Sequence, residues 1–131
     1  MGVMRMLREV ENLDAWINKI SYQLVKKIKQ EDKSKYKNEI DKALGVLSND
    51  GVYAYYVYAR AKKIDKIFIN EIQEIKRFVS VKGVKDTQGL NQDYFEKLSQ
   101  DLPSLLFFRE ILEKILIYAR YHAKAMEDNN E

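Results

Sequence analysis

A chain of 131 residues without a single cysteine has room for one hydrophobic core and must build it without disulfides. Thiolate metal sites and cysteine nucleophiles are excluded at the same stroke, and one proline with five glycines leaves little punctuation for a many-stranded sheet. The formal charge of +3, from 23 Lys and Arg against 20 Asp and Glu, is too small to argue nucleic-acid binding by its total; only its distribution carries that case.

Hydrophobic residues make up 46% and charged residues 33%, which suits a compact helical domain with a charged exterior. The many Lys, Glu, Ile and Tyr resemble thermophile usage. Apolar runs fall far short of the roughly 20 residues of a membrane span, and no signal-peptide pattern is present. A soluble, cytoplasmic protein is the expectation.

In chain order, residues 1–6 read as a loosely held start. From Leu7 to Gln30 the pattern is helical: Val10, Leu13, Ile17, Ile20, Leu24 and Ile28 advance by three or four, and Trp16 extends the stripe. Lys26, Lys27 and Lys29 crowd the last turn, where cations complement the helix dipole. A polar linker follows, with Ser34 placed to cap the next helix. Tyr36 to Lys66 then reads as an αα-hairpin broken at Ser48-Asn49-Asp50-Gly51. Ile40, Leu44 and Leu47 line one helix; Val52, Tyr56 and Ala59 line the other, widened by Tyr53 and Val57. Ser48 or Asp50 is placed to cap the second helix. That helix ends in Arg60, Lys62, Lys63 and Lys66, and the apolar period continues to Val79 past a bend near residues 63–65.

Residues 81–91 hold two glycines and no apolar face, so a mobile, partner-touching loop is expected there. Gln92 to Gln100 forms a short helix. Asp101 and Pro103 open the last one, which runs from Ser104 to Met126 with Leu105, Phe108, Leu112, Ile115 and Ala119 along one stripe. Leu106, Ile111 and Leu116 widen that stripe, and residues 127–131 are a frayed tail. The whole reads as one all-α domain, a compact bundle of about five to six helices round the central hairpin.

Catalysis finds little support. His122 is the only histidine and sits one turn after Ala119 on the apolar stripe, which suits a packed structural role. Glycine-rich phosphate loops and paired zinc-binding histidines are absent. Glu71 with Glu74, and Glu110 with Glu113, have bundle-metal spacing but lack the partner histidine. No enzyme, metal, cofactor or small-molecule substrate is expected. The basic groups Lys26-Lys27-Lys29, Arg60-Lys62-Lys63-Lys66 and Arg109-Arg120-Lys124 would bind phosphate backbones without reading sequence if the fold gathers them. Tyr53, Tyr55, Tyr56 and Tyr58 circle their helix, so half of them must face core or partner, and the rest are possible stacking surfaces for unpaired bases.

The stretch LSNDGVYAYYVYARAK, a helix end, an Asn-Gly-containing break and a hydrophobic helix ending in basic residues, resembles the small helical subunit of the Cmr-type (type III-B) CRISPR RNA-silencing complex. KLSQDLPSLLFFREILEKILIYARYHAKAME is similar to that family's last helix. The likeness covers somewhat under half of the chain, and Asp50, between Asn49 and Gly51, departs from the family's Asn-Gly pattern. The resemblance implies a non-enzymatic subunit that stacks in several copies along a ribonucleoprotein filament. Its partners would be the Cmr-type backbone and large subunits, other copies of itself, and the guide and target RNA. Arg60, Lys62, Lys63, Arg120 and Lys124 then become the candidates for RNA backbone contact, with Lys26 and Lys27 added on charge alone. The small subunit of the Csm-type complex is the nearest alternative within the class. Outside it stand a helical DNA-binding regulator, since the hairpin echoes helix-turn-helix, and a helical scaffold with no nucleic-acid role.

Overall fold

The first helix, α1 (Gly2–Gln30), already covers the start expected to be loose. The computed structural model describes the backbone of residues 2–31, 36 and 38–129, with side chains between residues 12 and 127. Ile17, Ile20, Leu24 and Val25 of α1 are buried at spacings of three and four, with Trp16 beside them and Leu13 and Ile28 at the margin. Trp16 satisfies its buried edge by donating from Nε1 to Glu74 at 2.7 Å. The expected cap at Ser34 and the tail beyond residue 129 lie outside the described residues.

The hairpin is tighter than its sequence suggests. Helix α2 (Glu39–Asp50) runs through Ser48, Asn49 and Asp50, and α3 (Val52–Ala61) starts after Gly51 alone. Gly51 has φ 97° and ψ −177°, a region open essentially only to glycine. Its N–H donates to Leu47 O at 3.0 Å while its carbonyl accepts from Tyr55 N at 3.1 Å, so one residue closes one helix and opens the next. Neither Ser48 nor Asp50 caps α3. Val57 faces solvent at 48% exposure rather than widening the apolar stripe. Tyr55 and Tyr56 take the inner positions with Val52 and Ala59. Tyr55, fully buried, donates its hydroxyl to Phe68 O at 2.7 Å, and burial holds its ionisation well above the ordinary phenol range.

At Lys63 the chain turns with φ 59°, which ends the helical run where a bend was expected. A single turn, α4 (Asp65–Phe68), leads into a 3₁₀ helix over Asn70–Arg77 rather than a continued α-helix. The reason is visible in the spacing. Ile69, Ile72, Ile75 and Phe78 recur every three residues, and three residues per turn is the 3₁₀ period, so all four face inward.

Residues 79–91 are irregular and tied down at four points. Gln73 Oε1 accepts from Leu90 N at 2.9 Å, Lys76 donates to Gln88 O, Lys97 donates to Gly83 O at 2.8 Å and Ser104 Oγ donates to Ser80 O at 2.6 Å. Gly89 permits the first of these, because a Cβ there would stand 3.1 Å from Gln73 Oε1. Helix α5 (Gln92–Ser99) is capped by Asn91, whose Oδ1 accepts from Tyr94 N at 2.9 Å. Helix α6 (Leu102–Asn129) begins with Asp101 accepting from Ser104 N at 3.4 Å.

Helix α6 buries Phe108, Ile111, Leu112, Ile115, Leu116 and Ala119 against α1, α2 and α5, while Leu106 stays 54% exposed, outside the stripe expected to include it. Phe95 of α5 lies at the centre, stacked on Tyr56 at 4.5 Å and edge-on to Phe108 at 5.7 Å. Among the described residues no strand occurs, and the chain is an all-α bundle. None of its described helices is long and apolar enough to cross a membrane.

Candidate nucleic-acid interface

Three helices end on the same side of the bundle. Asn18 and Tyr22 of α1 meet His122 of α6, and farther along both chains Val25, Ile28 and Lys29 share a concavity with Ala123, Lys124 and Glu127. Helices α1 and α6 therefore point the same way. The hairpin brings the end of α3 back to the start of α2, where Tyr58 donates to Glu39 at 2.8 Å. Arg120 of α6 lies 3.8 Å from Asp41 of α2, so α6 also ends there. The basic groups fall at one end of the bundle because α1, α3 and α6 run in a common direction, with α2 opposed to them.

At this end each predicted residue has a definite setting. Arg60 donates to Tyr56 Oη at 2.9 Å with its guanidinium 5.7 Å from that ring's centre, and the hydroxyl contact holds its proton more tightly than usual. Lys62 stands 6.0 Å over the Tyr58 ring. Burial and the Glu39 carboxylate push the Tyr58 phenol up to about 12. Lys63 occupies the left-handed turn and is exposed. Lys26 lies 5.8 Å over Tyr22. Lys27 is exposed on the same helix turn.

The structure brings Arg120 and Lys124 together on the wall of an open concavity of about 640 Å³, and adds Lys29, Tyr36, Asp41 and Glu127 to it. Lys26 and Lys27 line no part of that concavity. Lys29, named in the same basic group but left out of the RNA-contact candidates, belongs to the concavity; its spacing beside Val25 and Ile28 is the signal for it. Lys66 reaches across to Glu31 at 3.0 Å, linking α4 to the end of α1, and that carboxylate raises its proton affinity.

Among the described residues Lys26, Lys27, Lys29, Lys62, Lys63 and Lys124 have no carboxylate partner. Cations at helix C-termini complement the dipoles, which stabilises them without any ligand. Placed at one end of the bundle, they also leave ammonium groups on the surface there that no carboxylate neutralises and that a phosphate chain could meet. Two features of that surface are apolar: the concavity floor of Val25, Ile28, Ile40 and Ala123, and the tyrosine rings under Lys26, Lys62 and Arg60.

Comparison with protein-family models, with characterised proteins and with solved structures finds no match. Among the described residues no group of three His, Asp or Glu could hold a metal ion. His122 is half-buried between Asn18 Oδ1 at 3.1 Å and the edge of Tyr22, a structural position. Arg109, placed by sequence beside Arg120 and Lys124, instead donates to Ser48 O at 2.9 Å near the opposite end of the hairpin.

Proposed function

We propose that this chain is the non-catalytic small subunit of a type III-B (Cmr) CRISPR effector ribonucleoprotein. It stacks beside the backbone subunits that hold the guide RNA and contacts the target RNA backbone without reading its sequence. The observation that carries this reading is the common end of α1, α3 and α6, where Lys29, Arg120 and Lys124 share a concavity and α3 ends in Arg60, Lys62 and Lys63. The all-α build and the sequence likeness of the hairpin and last helix support it. The Cmr-type backbone and large subunits, other copies of the chain and the guide and target RNA are its partners, in the cytoplasm.

The direct test is isolation of the guide-RNA particle from cells: the chain should be one of its components, and a particle that lacks it would end the assignment. With purified protein, the triple variant Lys62→Ala, Lys63→Ala, Arg120→Ala should bind single-stranded RNA of any sequence more weakly. The slope of log affinity against log salt should flatten by about 2, near 0.7 per lost phosphate contact. Equal binding by the variant would remove these residues from the site. A DNA-reading regulator is the poorer alternative, because the outer face of α3 offers Ala54, Val57 and Ala61 beside the single Arg60, too apolar a set to read base edges in a groove. Tighter binding to duplex DNA than to RNA would reverse that judgement.

A further inference from the structure

The solvent side of α6 is unusually apolar. Leu106, Phe107, Tyr118 and Tyr121 are 54%, 38%, 44% and 62% exposed. Single exposed hydrophobics are ordinary on a protein surface. These share one face, because each of residues 103, 106, 107, 110, 114, 117, 118 and 121 lies three or four positions from another of the set, on the same side of an α-helix. The strip is about 27 Å long at 1.5 Å per residue. Only its middle is charged, by Glu110 and Lys114, both exposed and, among the described residues, without an ion-pair partner.

We propose that this face joins two copies of the chain, their α6 helices antiparallel about a twofold axis level with Leu112. In a twofold contact residue i meets residue j while j meets i. An axis at that level sets Glu110 against the partner's Lys114, and Lys114 against the partner's Glu110. The same register sets Leu106 beside the partner's Ile117 on one flank, Phe107 beside the partner's Tyr118 on the other, and Pro103 against the partner's Tyr121 on the midline. Apolar meets apolar at both ends and opposite charges meet in the middle. A parallel pairing would put Glu110 against the partner's Glu110 and Lys114 against the partner's Lys114, like charges on both. The charge pattern therefore selects the antiparallel arrangement and specifies a second copy as the occupant. A single helix pair at a shallow crossing buries an area at the small end of specific interfaces, so association in the micromolar range is expected. The inference rests on α6 alone and not on the RNA reading. It places the two basic ends at opposite extremes of the dimer.

Sedimentation equilibrium of the full chain, free of nucleic acid and taken from micromolar to millimolar concentration, tests it. A monomer–dimer equilibrium is expected. Glu110→Lys alone and Lys114→Glu alone should each weaken association at least about tenfold, since each creates two like-charge contacts, and the double swap should restore it. Leu106→Ser should also weaken it. All of these positions are exposed, and far-UV circular dichroism confirms that the variants keep their helix. A chain that stays monomeric throughout, single swaps that associate like the parent, a double swap no better than either single, or growth beyond two copies would each overturn the proposal. RNA retention by the same samples is a separate readout, and its outcome leaves this one untouched.

Discussion

The two ends of this bundle use the same residue types for opposite purposes. At the far end, around the 3₁₀ helix and residues 79–91, cations are consumed by the fold. Lys76 is bonded to Gln88 O, Lys97 to Gly83 O and to Asp93 at 3.0 Å, Arg77 to Glu74 at 3.5 Å and Arg109 to Ser48 O. There the irregular backbone has no helical partners of its own, and long donors supply them. At the basic end the backbone is helical up to its last turn and needs no such help. Lys26, Lys27, Lys29, Lys62, Lys63 and Lys124 remain over rings or in solvent. A lysine count cannot tell these uses apart; the bonding partner does.

That contrast can be broken in several ways. The largest effect belongs to Phe95, which ties the far-end helix α5 to Tyr56 and, through the Tyr56 hydroxyl, to Arg60. Phe95→Ala should cost about 4 kcal/mol in denaturant unfolding and disturb both ends together. Next come the cations themselves. Removing Lys62, Lys63 and Lys124 should leave unfolding within about 0.5 kcal/mol of the parent, as for surface changes generally. The same change should lower RNA retention by one to two orders of magnitude, roughly what a few lost phosphate contacts imply. At the far end the pattern inverts: Gln73→Ala orphans Leu90 N–H and should cost about 2 kcal/mol with RNA retention unchanged.

Two buried phenols give the finest comparison. Tyr55→Phe leaves the buried Phe68 carbonyl without its donor and should cost about 1.5 kcal/mol. Tyr94 is equally buried, but its hydroxyl has no partner among the described residues, so Tyr94→Phe should be neutral or stabilise by up to about 1 kcal/mol. Burial pushes Tyr94 up to about 12 from an ordinary 10. Between these pH values the unfolded chain sheds a proton that the native state keeps, so native stability is complete below pH 10 and falls as pH rises toward 12. Tyr94→Phe should remove its share of that alkaline loss, measurable as a shallower decline of melting temperature above pH 10.

Much of the fold was legible because its stripes are long and regular. The spacing of Ile17, Ile20 and Leu24, or of Phe108, Leu112 and Ile115, admits one helix face and no other reading. The 3₁₀ segment was misjudged because Ile72 and Ile75 satisfy an α-helical spacing as well as a three-residue one. Only the strict run Ile69-Ile72-Ile75-Phe78 separates the two. Val57 left the stripe expected to include it, and Tyr55 went inside, because four tyrosines surround α3 and pattern cannot decide which hydroxyl finds a buried acceptor. For the site, charge clusters were visible but not their bonds. Arg109 looks like Arg120 in sequence, and only the hairpin's folded position gives it a carbonyl to hold.

One residue of the hairpin carries a consequence about handedness. Gly51 has open space where a side chain would begin, with no heavy atom within 4 Å of an added Cβ, so size does not restrict it. Its φ of 97° with ψ of −177° is the mirror image of the ordinary extended backbone. An L-residue there is strained whatever its volume, whereas a D-residue prefers that conformation. The reversal between α2 and α3 thus discriminates by chirality rather than by bulk. In a chemically assembled chain, this is the position where D-alanine should outperform L-alanine.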